Sequence, residues 1–207
     1  ACVFISFATI SQAQITKGSV LLGGSVGFSK NENEYNGNEN KSKTFSVFPS
    51  VGLAIKDNWV IGLNGGYIGT NFKPATPTSN HESYGYSSGL FVRHYKSLGK
   101  SFYLYGNASI NYNKTKTSQS FATSEHQSTV TNGVSLAITP GLTYAVSKHF
   151  HLEASLNNLL SLSYNKSSEE RYFSGSSYNS KIKSFDYGTN FSTAAPLTIG
   201  FRFVLGK

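Results

Sequence analysis

The chain has 207 residues, and its 38% hydrophobic content includes no run of 18 apolar residues, which excludes a membrane-spanning helix. Charged residues are only 14% of the chain, against the roughly 25% usual in soluble proteins. The net charge is +8, but the lysines sit at strand ends rather than in a basic stripe interleaved with aromatics, so the pI near 9.5 does not point to nucleic acid.

Residues 1–13 read as the remnant of a cleavable secretory signal: an apolar stretch ending in the small-x-small site Ser11-Gln12-Ala13. Cleavage is expected after Ala13, leaving residues 14–207 as one domain. Cys2 lies in the leader, so the mature chain is expected to carry no thiol, disulfide or cysteine-based zinc site.

From Gly18 the chain alternates with a period of two in eight segments, which predicts strands with one lipid face and one polar, small-residue face. The first is Gly18–Ser29, with Val20, Leu22, Val26 and Phe28 on the apolar face. The second, Thr44–Lys56, turns at Asp57-Asn58 into the third, Trp59–Phe72. The fourth is Ser83–Tyr95 and the fifth Ser101–Asn113, the latter with Tyr103, Tyr105 and Asn107 facing inward. The sixth, Thr129–Ser147, alternates most cleanly. The seventh is Phe150–Asn165, and the eighth is Tyr187–Leu205. Pro49, Pro140 and Pro196 fall inside these segments, where a missing N–H donor demands a bulge or a strand end.

The connections alternate in length. Short ones fall at Lys56–Asn58, Lys96–Lys100 and Ser147–His149, long ones at Lys30–Lys43, Lys73–Glu82, Lys114–Ser128 and Lys166–Asp186. The long ones, rich in Asn, Ser, Lys and Glu, read as solvated, mobile loops. Aromatic residues fall in two bands, one near each set of connections, as at the two interfaces of a bilayer. The reading is all-β: an eight-stranded antiparallel up-and-down transmembrane β-barrel in a Gram-negative outer membrane, monomeric, with periplasmic termini. Counted by segment, the long connections are almost neutral, with ten Lys/Arg against eight Asp/Glu. The short-turn side carries Lys17, Lys56, Lys96, Lys100, Lys148 and Lys207 against Asp57 alone.

On this pattern the mature chain, from about Gly18 to Leu205, resembles the OmpA/OmpX-like family of small outer-membrane β-barrels. The end of the chain, Thr198-x-Gly200-x-x-Phe203-x-Leu205, is similar to the family's C-terminal signal for the barrel-assembly machinery. It departs from that pattern in ending on Leu205-Gly206-Lys207 rather than an aromatic residue. The resemblance implies a structural, adhesive, host-interacting or narrow-pore role, so the fold leaves the function open.

Three inward residues form the best constellation. Arg93, Glu153 and Arg202 share a parity and a depth near the short turns. An eight-stranded interior leaves room only for side chains, and a carboxylate there needs a cation. Glu153 is therefore expected to pair with Arg202 beside it and with Arg93 across the barrel. His126-x-Ser128 is a weak hint of a lipid-modifying His/Ser pair, and His149-x-His151 has metal-ligand spacing but no third ligand. No catalytic set, cofactor motif or metal site emerges. The leading reading is an integral protein acting structurally or through four surface loops, with Tyr172, Phe173 and Tyr178 as contact residues. Its expected partners are outer-membrane lipid and lipopolysaccharide, the barrel-assembly machinery, and a host or surface ligand. The alternatives are a narrow solute pore gated by the Glu/Arg cluster and, behind it, a lipid-modifying enzyme.

Overall fold

The computed structural model describes residues 15–35, 38–74, 79–99, 101–121, 126–156, 159–173, 176–189 and 197–206. The predicted leader, with Cys2 and the cleavage point, lies outside them, as does Pro196. Ten strands are described: β1 (Val20–Tyr35), β2 (Asn38–Lys56), β3 (Trp59–Lys73), β4 (Ser79–Gly99), β5 (Phe102–Phe121), β6 (His126–Ala145), β7 (Phe150–Leu156), β8 (Leu160–Phe173), β9 (Ser176–Thr189) and β10 (Leu197–Leu205).

Antiparallel pairing runs in chain order from β1 to β6, then through β7 and β10 back to β1. The ring of eight closes through the ladder from Val20–Leu205 to Ser25–Gly200. Alternation sets the two faces. Val20, Leu22, Leu53, Leu63, Leu90, Ile110, Leu136, Leu152 and Phe201 are exposed on the outside, while Leu21, Val60, Phe91, Tyr95 and Val204 are buried within. Period two therefore puts the apolar majority toward lipid, inverting the arrangement of a soluble sheet.

Two expected strands are each divided. Residues 150–165 form β7 and the start of β8, because the pairing with β6 breaks between Gly141–Ser155 and Ile138–Leu160 and resumes two residues out of register. A shift of two preserves which face each residue takes, so Leu160, Leu162 and Tyr164 still point outward. Pro140 lies in that break, paired with Gly106 on its other side only. Pro49 likewise falls where the β2–β3 ladder is interrupted, between Val47–Tyr67 and Ser50–Asn64. The expected eighth strand is β10, with Tyr187 belonging instead to β9. Above the closed ring, β8 and β9 continue the wall. Among the described residues, β9 pairs with β8 alone and no Cα of it lies within 8 Å of one in β1.

The described residues of the four long connections lie almost wholly in strands rather than loops. The β1–β2 ladder runs to Tyr35–Asn38 and the β8–β9 ladder to Phe173–Ser176. The reason is inside the barrel, where polar side chains bond across the ladders. Thr44 meets Thr70 at 3.0 Å, Ser83 meets Thr117 at 3.2 Å, Thr131 meets Ser167 at 2.8 Å, and Asn113 donates to Ser135 at 2.9 Å. These rungs keep a period of two without any hydrophobic periodicity.

At the short-turn rim, the segment before β1 folds across the base. Gly18 N–H donates to Ala54 O at 2.8 Å, and Asn58 N–H donates to Ile15 O at 2.8 Å. This seats the Ile15 side chain in the buried core. Gly24 marks one of several close backbone approaches in the wall. Its φ is 154°, and a Cβ there would lie 2.3 Å from the Phe48 carbonyl oxygen.

Candidate functional site: the ion cluster in the lumen

Glu153 stands in the middle of β7, opposite Thr143 of β6 and Gly200 of β10. Arg202 lies two residues along β10, and Arg93 projects inward from β4 on the far side of the ring, opposite Val60 and Asn107. The cross-sheet distance is short because only eight strands surround the lumen. The structure brings all three together. Arg202 donates from Nε to Glu153 Oε1 at 2.7 Å and from Nη2 to Oε2 at 3.0 Å, in a bidentate fork. Arg93 Nη1 donates to both carboxylate oxygens at 2.9 Å.

Neighbouring groups take up further donors of the two arginines. Arg93 Nε donates to Asn107 Oδ1 at 3.2 Å, and its guanidinium lies 4.2 Å from the Tyr105 ring centroid. Arg202 Nη1 reaches Ser50 Oγ at 3.4 Å. Tyr95 takes a hydrogen bond from Arg93 Nη1 and gives one to Glu153 Oε1, each at 3.2 Å. Tyr95 belongs to the cluster, although the sequence reading did not single it out. The signal was present, since it shares the inward parity of Arg93 two residues away. Tyr103, which also faces inward, stacks on His151 at 6.3 Å and 14°.

Burial is nearly complete, with Arg202 2% and Glu153 7% exposed. Toward the short-turn rim the cluster rests on an apolar layer of Leu21, Val60, Tyr95, Tyr103, Val204 and Ile15. Toward the long hairpins it forms the floor of a cavity of about 350 Å³, walled by Ser25, Asn64, Ser87, Ser109, Asn111 and Ser135 among others. Two guanidiniums and one carboxylate leave one net positive charge at that floor. This set offers no metal a ligand shell, and among the described residues no three His, Cys, Asp or Glu groups converge.

The other expected residues are dispersed. Tyr172 and Tyr178 are exposed near the tip of the β8–β9 hairpin, where Phe173 pairs with Ser176. Thr198 and Gly200 turn inward on β10, while Phe203 and Leu205 face outward. His126 Nδ1 meets Ser120 Oγ of β5 at 3.1 Å. His151 is buried in the lumen, whereas His149 is exposed at the rim, with Nδ1 3.0 Å from the Val204 carbonyl oxygen.

No curated protein matches the chain. Among solved structures, a major outer membrane protein of Thermus thermophilus superposes with a TM-score of 0.51 at 10% identity, over 91% of this chain and 99% of that one. OprG from Pseudomonas aeruginosa gives 0.49 at 13% identity, over 95% and 100%. Neisserial surface protein A gives 0.39 at 18% identity, over 90% and 97%. The profile of the family described as outer membrane protein beta-barrel domain matches residues 1–163, so the chain belongs to that family and resides in the outer membrane.

Proposed function

We propose that the protein is a non-conducting barrel that holds four long β-hairpins above the outer membrane for surface contact. The observation that carries this reading is the double closure of the lumen. The Arg93–Glu153–Arg202 cluster fills it, and the apolar layer with Ile15 seals it beneath. A solute path would have to break a bidentate buried ion pair and displace that layer as well. The described residues of the hairpins are ladder-paired nearly throughout, so they offer ordered surfaces at little ordering cost. Tyr172 and Tyr178 are the contact residues on the β8–β9 hairpin, since exposed aromatic rings supply binding area with few torsions to fix. Insertion would use the Thr198, Gly200, Phe203 and Leu205 motif on β10, the strand that closes the ring against β1. The partner of the hairpins would be a surface or host ligand.

The test is single-channel recording from the refolded barrel in a planar bilayer. The wild type is expected to stay silent. Discrete openings in the wild type that change in Glu153→Ala would replace this reading with that of a gated pore.

A further inference from the structure

The outward faces of the long hairpins carry an order that counting charges by segment does not reveal. Two successive rungs cross strands β4, β5, β6, β8 and β9. The first reads Tyr86, Lys114, Asn132, Lys166, Lys183, and the second Tyr84, Lys116, Val130, Ser168, Lys181. The rung on their membrane side reads Ser88, Tyr112, Val134, Tyr164, Phe185. Five exposed lysines thus stand directly above a rung that carries three aromatic rings, and neither lysine rung holds a carboxylate. Each of Tyr112, Tyr164 and Phe185 is followed by a lysine two residues further from the membrane on its own strand.

The pairing within the first rung is unfavourable by itself. Lys166 and Lys183 are direct cross-strand partners. Side chains so placed start about 5 Å apart, and like charges there repel. The same occurs at Lys30–Lys43 and Lys41–Lys73 on the other side of the barrel. There Lys30 is partly neutralised by Glu32 at 2.7 Å, whose carboxyl is held below its ordinary range by the hydrogen bond from Lys30. On the β5–β9 patch the nearest outward carboxylates, Glu82 and Glu170, lie one rung beyond Lys116 and Lys181 and two beyond the Lys166–Lys183 pair. Two flexible lysine stems rooted about 5 Å apart can bring both ammoniums onto one phosphate, and the aromatic rung fixes the height at which that phosphate must lie.

We propose that this lysine patch binds the phosphates of an outer-leaflet glycolipid headgroup, with Lys166 and Lys183 clamping one phosphate and Lys114, Lys116 and Lys181 flanking it. The partner is a membrane lipid rather than a soluble anion, because the patch continues the lipid-facing wall without a step. Long lysine stems can lie along that wall while their heads reach the headgroup plane. The inference needs the barrel to sit in the membrane but needs no hairpin partner, so it stands or falls apart from the display reading.

The test titrates the detergent-solubilised barrel with bisphosphorylated lipid A and reads bound lipid by native mass spectrometry. Removing two lysines at an anionic headgroup should weaken binding roughly thirtyfold in Lys166→Gln/Lys183→Gln. Lys56→Gln/Lys96→Gln, at the opposite rim, removes the same charge and should bind as wild type does. Without lipid, Lys166→Gln alone should leave the unfolding midpoint unchanged or raise it, since a like-charge rung is relieved. Equal binding of dephosphorylated lipid A would overturn the proposal. So would equal loss in the two double variants, or displacement of the lipid by inorganic phosphate at the lipid's own concentration.

Discussion

Replacing Glu153 with Gln tests the physics of the lumen directly. The substitution keeps the size of the side chain, removes its charge and turns one oxygen into an amide that faces a guanidinium. Four charge-assisted hydrogen bonds end on that carboxylate, two from each arginine. The side chains left behind are 2% exposed for Arg202 and 11% for Arg93. Removing one partner of a buried ion pair costs about 3–5 kcal/mol, because the remaining charge stays in a poor solvent. The lower half of that range applies here, since Arg93 keeps Asn107 and the Tyr105 ring face and borders the cavity above. With a urea slope of about 2 kcal/mol per molar, the midpoint should fall by roughly 1.5–2 M. The assay is urea unfolding of the refolded barrel in phospholipid vesicles, followed by the fluorescence of Trp59, the one tryptophan of the chain. The triple variant Arg93→Met/Glu153→Leu/Arg202→Met strands no charge and should lie within about 1 kcal/mol of wild type. A loss below about 1 kcal/mol in Glu153→Gln would refute the argument, since the carboxylate would then not be compensating buried arginines.

Two further substitutions probe the wall around the cluster. His151 is 1% exposed, and among the described residues neither ring nitrogen has a hydrogen-bond partner. His151→Phe keeps the ring against Tyr103 and should raise stability by about 1 kcal/mol; a lower urea midpoint would show that the imidazole is satisfied. Gly24→Ala forces a Cβ to within 2.3 Å of the Phe48 carbonyl oxygen and should cost at least ~2 kcal/mol, whereas Gly106→Ala, with nothing within 4 Å, should stay within about 0.5 kcal/mol. Equal midpoints for these two alanine variants would contradict the packing argument.

Alternation made the lipid-facing wall legible in the sequence. It also made the cluster legible, because parity and depth alone place Arg93, Glu153 and Arg202 on one inward level, and charge burial then requires them to meet. The long connections were misread for a physical reason. Beyond the bilayer neither face of a strand needs to be apolar, so Thr44, Thr70, Ser83, Thr117, Thr131 and Ser167 carry no hydrophobic period although their rungs are well formed. The division of the seventh and eighth strands was hidden similarly. A register shift of two leaves the inside–outside pattern of Leu156, Leu160 and Leu162 intact, so only the pairing partners reveal it. Pro140 was the local clue, because its missing donor faces the interrupted ladder.

Among the described residues β9 pairs with β8 alone, which offers a competing explanation for its lysines, and the positions of the other lysines decide between the two. An exposed edge strand invites pairing with another chain, and outward charges, lysine above all, blunt that tendency. Lys181 and Lys183 would serve this purpose on β9. Lys166, however, belongs to β8, which is paired on both sides, and Lys114 and Lys116 belong to β5, which is paired with both β4 and β6. Those strands have no edge to protect. Edge protection also gives no reason for a lysine directly opposite another lysine, since a single charge per rung would suffice. Nor does it explain why the lysines begin one rung above Tyr112, Tyr164 and Phe185. A phosphate-bearing headgroup accounts for all three observations: the extension onto paired strands, the like-charge rung and the fixed height above the aromatic rings.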